Sequence, residues 1–184
     1  MTKRIIQQRK RIFIAAEGES EQSFIKWMQQ LSDQQGLHIH LDCQSLDGGG
    51  YKTMLEKAIR ERKRKERYKA KSSILLVDSD RADRGDDGWT LSQLEQRALS
   101  QKIIVCTQCP NLEGVLFRML PNNEGSQVSS AKAHRQLSQA WHDYVKPVDA
   151  RMLANKFSLH DLIRVARVDP DLKKFLSLLG LLSE

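Results

Sequence analysis

Apolar runs of strand length alternate with amphipathic segments over residues 11–120, and this alternation most constrains the fold. Residues 11–16, 73–77 and 102–107 are apolar runs, and residues 38–43 alternate between apolar and polar side chains. Each of these stretches is followed by apolar residues at helical spacing. Strands that alternate with covering helices build a parallel, or mostly parallel, sheet with helices on both faces. We therefore predict an α/β fold.

The pattern changes at residues 121–126, where Pro, Asn and Gly interrupt the helical spacing. Beyond this break only helical spacing remains, in segments at residues 137–144, 159–166 and 172–179. A chain of 184 residues can bury one full core with a small helical addition. We predict a Rossmann-like α/β domain over residues 1–125 and a C-terminal helical segment over residues 126–184 that packs on it.

The composition excludes a membrane protein and favours a reducing compartment. No uninterrupted apolar run approaches the roughly 18 residues that a membrane helix requires, and the first ten residues are too polar for a signal peptide core. The three cysteines, Cys43, Cys106 and Cys109, form no recognisable disulfide framework. We therefore expect a cytoplasmic protein without a membrane partner.

Acidic residues follow the predicted strands at the points where the strands end. Glu17 follows the first strand in an acidic run that includes Glu21, and Asp78 and Asp80 follow the third strand. Glu113 lies about one helical turn beyond the fourth strand. Because ligands of parallel sheets bind outside the carboxyl ends of the strands, we expect these carboxylates to converge.

A converging set of carboxylates requires a compensating charge. Two unit charges about 4 Å apart repel by roughly 4 kcal/mol at an effective dielectric constant of 20, so a cation, a bound proton or a basic side chain must offset the cluster. Carboxylate oxygens suit Mg²⁺ or Mn²⁺, which bind them together with water and substrate phosphate. Acidic residues also serve as ordinary helix caps and turn residues, which is the alternative interpretation of this set.

Basic residues are concentrated between Lys52 and Lys71. This segment holds ten Lys or Arg residues and three Glu residues, so it accounts for the whole formal net charge of +7. A segment this basic attracts phosphate through counterion release, although Glu and Lys at helical spacing also pair on a solvated helix face. The residues predicted to contact a nucleic-acid backbone, without reading its sequence, are Lys57, Arg60, Arg62, Lys63, Arg64, Lys65 and Arg67.

The acidic motifs resemble those of the Toprim nucleases. The motifs that carry the resemblance are Glu17-Gly18-x-x-Glu21, Asp78-x-Asp80 and Pro110-Asn111-Leu112-Glu113. The tract from Ile12 to Trp27 is similar to the RloB-like subgroup of that superfamily. The resemblance covers roughly residues 10–120 and implies a Toprim-like catalytic domain.

The resemblance also implies roles for individual residues. It implies that Glu17 is a metal ligand or a general acid/base and that Asp78 and Asp80 hold a divalent metal, so these three are the expected catalytic residues. Glu21 and Glu113 complete a second metal position, and the expected cofactor is Mg²⁺ or Mn²⁺. Two cations in such a site activate a water and stabilise the attacking and leaving oxygens of a phosphodiester. The expected activity is that of a divalent-metal-dependent endonuclease acting on DNA or RNA.

RloB-like proteins are associated with bacterial defence against phage and are commonly linked to a partner ATPase. The chain contains no Gly-x-x-x-x-Gly-Lys-Ser/Thr phosphate loop, so the resemblance implies a separate ATPase partner. The apolar stripes of the C-terminal segment could also form a surface for a homo-oligomer. A different class of function remains open, namely a non-catalytic nucleic-acid-binding or partner-docking domain that uses the basic helix at residues 52–71.

Overall fold

The computed structural model describes residues 8–65, 70–80 and 87–182. The elements in these ranges are, in chain order, β1 (Lys10–Ala16), α1 (Glu19–Gln34), β2 (Ile39–Ser45), α2 (Tyr51–Arg64), β3 (Ser72–Asp78), α3 (Leu91–Ser100), β4 (Ile104–Gln108), α4 (Leu112–Met119), α5 (Ser130–Ala140), α6 (Ala150–Lys156), α7 (Leu159–Ala166) and α8 (Pro170–Leu179). The four predicted strands are all present, each within a few residues of its expected bounds.

The strands of the described residues form one four-stranded sheet in the order β2-β1-β3-β4. Every neighbouring pair is parallel, so the predicted α/β fold with a parallel sheet flanked by helices is confirmed. The register places Ala16 beside Ser45 and Asp78 beside Gln108. All four strands therefore end at the same edge, which we call the carboxyl edge; the opposite edge, where they begin, is the amino edge.

Helices cover both faces because successive side chains of each strand point to opposite sides of the sheet. On one face, Ile12, Ile14 and Leu76 pack in an apolar core with α1, α4 and all four helices from α5 to α8. On the other face, Phe13 and Leu75 pack with α2 and α3. The carboxyl edge thus lies between two well-packed layers.

The C-terminal segment contains four helices in the described residues, whereas helical spacing predicts three. The additional helix is α6, a single short element of 7 residues that buries only Leu153, so it leaves almost no periodic signal. Helix α5 ends at Ala140, and Trp141 and Tyr144, which were predicted to continue it, are buried in the following loop. These helices share one core with the sheet, and the predicted division at residue 125 stays a prediction.

No helix within the described ranges is long and apolar enough to span a membrane.

Candidate carboxylate site at the carboxyl edge

Backbone hydrogen bonds fix the loop that follows β3. The Ser79 N–H donates to the carbonyl of Gln108 at 3.0 Å, and the Asp80 N–H donates to the carbonyl of Pro110 at 3.2 Å. The hydroxyl of Tyr51, at the start of α2, contacts the carbonyl of Asp78 at 3.0 Å. Asp78 and Asp80 are therefore held between α2 and the loop that follows β4.

The start of α4 is equally constrained. The side chain of Asn111 accepts a hydrogen bond from the Gly114 N–H at 3.0 Å, which caps the helix. Gly114 lies so close to the preceding loop that a Cβ atom built on it would be 2.5 Å from Cδ of Pro110. This close approach holds the first turn of α4 against the sheet edge, where Glu113 is only 5% exposed.

The first turn of α1 supplies a further carboxylate to this edge. The Gly18 N–H donates to Oε2 of Glu21 at 3.0 Å, so the Glu21 side chain satisfies one of the unpaired donors at the helix start. Burial raises the pKa of Glu21 above its ordinary value, and the nearby charge of Glu113 raises it further. Glu21 is thus oriented by its own helix and coupled to α4.

Asp78 is the most strongly perturbed carboxylate of the site. Burial, followed by the negative charges of Glu21, Asp80 and Glu113, raises the pKa of Asp78 to about 8. Four of the five predicted metal ligands are therefore close enough to act on one another electrostatically. We call these four residues, Glu21, Asp78, Asp80 and Glu113, the carboxylate cluster.

Glu17, the fifth predicted ligand, directly follows β1 at the same edge. Its carbonyl accepts hydrogen bonds from the Gly48 N–H at 3.2 Å and from the Ser45 hydroxyl at 3.4 Å. Its side chain is half-buried. The negative charges with the largest effect on the pKa of Asp78 belong to Glu21, Asp80 and Glu113, so Glu21 of the Glu17-Gly18-x-x-Glu21 motif is coupled to the end of β3.

Side chains of the C-terminal segment engage the cluster. The Ser130 hydroxyl donates to Oδ2 of Asp80, and the Lys146 ammonium donates to Oε1 of Glu113. The Tyr144 hydroxyl donates to the same Glu113 oxygen at 3.3 Å. Within the part of the chain that the structure describes, no group of three or more His, Cys, Asp or Glu side chains is arranged to hold a metal ion. One oxygen of Asp80 and one oxygen of Glu113 instead accept hydrogen bonds from these side chains.

Among the described residues, Lys146 is a cation in direct contact with the cluster. Burial lowers its pKa, but the hydrogen bond and charge of Glu113, with the charges of Glu21 and Asp78, outweigh burial and raise the pKa overall. Reasoning from the sequence missed Lys146 and Ser130 because both lie outside the strand-helix pattern, 33 residues after Glu113 and 50 after Asp80, respectively. Tyr144 was predicted only as a packing residue.

Buried polar atoms of Asp78 and of the neighbouring Gln108 lack hydrogen bonds to the described residues. Oδ1 of Asp78 and both amide atoms of Gln108 are inaccessible to solvent and have no hydrogen-bond partner there. The parallel register places these two residues side by side at the ends of β3 and β4. Buried polar atoms nearly always have a hydrogen-bond partner, so Asp78 and Gln108 together offer contacts for a further polar group or ion.

The basic helix α2 runs away from the cluster rather than along it. Tyr51, its first residue, contacts Asp78, whereas Lys65, just past its end, donates to Oδ1 of Asp42 at 2.5 Å. Arg11, near the start of β1, donates to the other oxygen of Asp42 at 3.1 Å. The basic end of α2 therefore lies toward the amino edge, opposite the carboxylate cluster.

The predicted nucleic-acid contacts have different local partners. Lys57 donates to the carbonyls of Leu46 and Gly48 at 2.6 and 3.0 Å, which ties α2 to the loop after β2. Arg62 donates to the carbonyl of Gln101 at 2.5 Å. These two residues therefore contribute to the structure of the fold.

The remaining predicted contacts lie on or near the surface. Arg60 and Arg64 form ion pairs with Glu61 at 3.7 and 2.9 Å. Lys63 is exposed, and Arg67 lies outside the described residues. The surface-exposed part of the predicted contact set is thus the last turn of α2.

Comparison of the chain with family models, with curated proteins and with solved structures gave no match.

Proposed function

We propose that the chain is a divalent-metal-dependent endonuclease that hydrolyses phosphodiester bonds in DNA or RNA. The observation that carries this proposal is the carboxylate cluster, which lies where parallel α/β sheets bind their ligands. The motif resemblance to Toprim nucleases supports the same activity, since Glu21, Asp78, Asp80 and Glu113 all belong to those motifs.

The carboxylates of the cluster are the type of ligand that a divalent cation prefers, although no three of them are arranged around one point in the described residues. Oδ1 of Asp78 is buried without a hydrogen bond from a described residue, and a pKa of about 8 shows that its charge is poorly compensated in the protein alone. A divalent cation favours the ionised carboxylate and so offsets both effects. The donor set is entirely oxygen, as Mg²⁺ and Mn²⁺ prefer.

In this proposal, Asp78, Asp80, Glu21 and Glu113 hold the metal, and Glu17 lies beside them as a further ligand or as a general acid/base. A bound divalent ion supplies Lewis acidity and lowers the pKa of a coordinated water. Ser130 orients Asp80, and Tyr144 orients Glu113 through its hydroxyl. Ligands held in this way keep the geometry that the reaction requires.

Lys146 has a second role in the proposal. Its side chain is 56% exposed while its ammonium group contacts Glu113, so it presents positive charge both to the cluster and to solvent. A phosphodiester that approaches the cluster from solvent is repelled by the carboxylates and attracted by this ammonium. We assign Lys146 to the binding of the substrate phosphate next to the site of cleavage.

The biological setting of the proposal comes from the RloB-like resemblance. It supports an effector of bacterial defence against phage that acts with a separate ATPase, and it leaves room for a homo-oligomer. The three cysteines are free thiols, which supports a cytoplasmic location because disulfides are rare there.

The experiment is a cleavage assay on plasmid DNA, single-stranded DNA and total tRNA with Mg²⁺ or Mn²⁺. The wild-type protein is compared with Glu17→Gln and with Asp78→Asn/Asp80→Asn. Glu19→Gln is the matched control, because Glu19 belongs to the same acidic run but is exposed. We expect one substrate class to be cut in a metal-dependent way by the wild type and the control, and not by the site variants.

If the wild type alone is inert, the assay is repeated with an ATPase encoded by a neighbouring gene. Inertness with the ATPase as well, or cleavage that survives in Asp78→Asn/Asp80→Asn, contradicts the nuclease proposal. Metal-independent nucleic-acid binding in the inert protein would favour the non-catalytic binding domain instead.

A further inference from the structure

A cavity of about 470 Å³ lies at the amino edge of the sheet. It is bordered by the start of β1, the end of α2, the start of β3 and the turn before β4. Its volume is in the range of small-molecule binding sites, roughly 300–1,000 Å³. Since a strand rises about 3.3 Å per residue, the length of β3 separates Ser72 at this cavity from Asp78 by about 20 Å. The cavity is therefore distinct from the carboxylate cluster.

The cavity is lined by six cationic side chains and one carboxylate among the described residues. The cations are Arg11, Arg62, Lys63, Lys65, Lys71 and Lys102. Asp42 is the carboxylate, and it accepts hydrogen bonds from Arg11 and Lys65. One carboxylate cannot neutralise six cations, so the cavity carries a strong positive potential toward solvent.

Three of these cations make no polar contact with a described residue through their ammonium groups. The ammonium groups of Lys63, Lys71 and Lys102 form no hydrogen bond or ion pair with any residue in the described ranges, and all three side chains are exposed. Arg62 is held in place by the carbonyl of Gln101, and its guanidinium has further N–H donors beyond that contact. The fold thus gathers cations from separate segments of the chain around one concave surface.

We infer that this cavity binds a phosphate-bearing ligand, which is either a free nucleotide or a short stretch of nucleic-acid backbone. Arg and Lys donors around a concave site are the usual partners of phosphate oxygens. Lys71, Lys102 and Arg11 extend the site beyond the basic helix, and no residue of the carboxylate cluster lines it. The inference goes beyond the proposed nuclease activity, since a phosphate bound here lies too far from Asp78 to be the one cleaved.

The test is a binding measurement in EDTA on the Asp78→Asn/Asp80→Asn protein, so that the carboxylate cluster cannot bind metal or cut the probe. The probes are inorganic phosphate, a nucleoside triphosphate and a fluorescent single-stranded oligonucleotide, and the readouts are calorimetry and fluorescence anisotropy. Lys63→Gln/Lys71→Gln removes two cations of the cavity. Lys132→Gln/Lys173→Gln removes two exposed lysines elsewhere and is the matched control.

We expect the cavity variant to bind at least one probe about tenfold more weakly or worse, while the control variant matches its parent. Tight binding of the triphosphate alone identifies a nucleotide site, and tight binding of the oligonucleotide alone identifies a nucleic-acid backbone site. For the oligonucleotide, the loss of two phosphate contacts should make the negative slope of log K against log salt less steep by roughly 1.4.

Two outcomes would overturn the inference. One is that none of the three probes binds. The other is that the cavity variant binds every probe as tightly as the control variant does. Neither outcome bears on the nuclease proposal, because the cleavage assay reports on the opposite edge of the sheet.

Discussion

The two edges of the sheet carry opposite charges in opposite environments. At the carboxyl edge, Asp80 and Glu113 are 5% exposed, and burial with neighbouring carboxylates raises the pKa of Asp78 to about 8. At the amino edge, Lys63, Lys71 and Lys102 are exposed to solvent around an open cavity. Water screens the charges at the amino edge, whereas the buried carboxylates at the carboxyl edge are poorly compensated. Substitution of a single charge should therefore change the free energy of unfolding strongly only at the carboxyl edge.

Asp78→Asn should have the largest effect, and that effect should depend on pH. Because the folded pKa of about 8 lies above the unfolded value of roughly 3.9, the contribution of Asp78 to stability is fully present below pH 4 and is lost as pH rises through 8. Asn carries no charge and escapes this loss. At about 1.36 kcal/mol per pKa unit, we expect the unfolding free energy of the variant to exceed that of the wild type by up to about 5 kcal/mol at pH 9, and to equal it near pH 4.

Chemical denaturation in EDTA at pH 4, 6, 8 and 9 would measure this difference. Asp87→Asn controls for a carboxylate near the same edge, since its oxygen caps α2 by accepting from the Lys52 N–H at 2.8 Å. If the unfolding free energy of the wild type does not fall between pH 6 and pH 9, the negative charge of Asp78 is already offset by neighbouring groups in the folded protein.

The second prediction concerns metal affinity. A divalent cation must displace the proton of Asp78 wherever that group is protonated, so affinity should rise by about tenfold per pH unit below the pKa of about 8. Calorimetric titration with Mn²⁺ at pH 6.5 and 7.5 would measure the change. In Asp78→Asn the dependence should largely disappear together with most of the affinity. An affinity that is independent of pH in the wild type would separate Asp78 from the metal site.

The chain order predicts the acidic edge better than the basic one. The sequence could predict that four carboxylates lie at this edge, because the carboxyl ends of parallel strands meet there. These residues are Glu21, Asp78, Asp80 and Glu113. The location of the basic residues could not be predicted, since α2 carries them away from the edge at about 1.5 Å per residue. Its 14 residues begin with Tyr51, which contacts Asp78, and end just before Lys65, which contacts Asp42.

The partners of the cluster could not be predicted for a different reason. Ser130, Tyr144 and Lys146 reach Asp80 and Glu113 only because the C-terminal helices pack on the same face of the sheet as α1 and α4. No short-range pattern encodes that docking. Single polar residues in a helical segment are ordinarily solvated, and only the tertiary structure identifies these three as part of the site.

The third prediction separates the two roles of Lys146. Lys146→Gln removes a cation that favours the charged forms of Glu21 and Asp78. At pH 9, where a bound metal no longer competes with the proton of Asp78, Mn²⁺ should bind about three- to fivefold more tightly, as expected for the loss of a partly screened like charge. Cleavage should nevertheless become slower, because the substrate phosphate loses its attracting ammonium.

Calorimetry and the cleavage assay would be run on the same Lys146→Gln preparation, with Lys156→Gln as the control. Lys156 lies over the ring of Trp141 rather than near a carboxylate of the site. Weaker Mn²⁺ binding in Lys146→Gln would indicate that Lys146 acts mainly by keeping Glu113 in place.

The smallest effect is expected at the exposed end of α2. Arg64 is 72% exposed, and its guanidinium pairs with Glu61 one turn earlier at 2.9 Å. Such an exposed helical pair contributes about 0.3–0.5 kcal/mol and is screened by salt. Arg64→Gln should therefore lower the free energy of unfolding by no more than about 0.5 kcal/mol, and 1 M salt should remove the difference. A loss of unfolding free energy above about 1 kcal/mol, or a loss that persists in high salt, would mean that water does not simply screen the charges at the amino edge. Exposure to solvent would then not explain the contrast between the two edges.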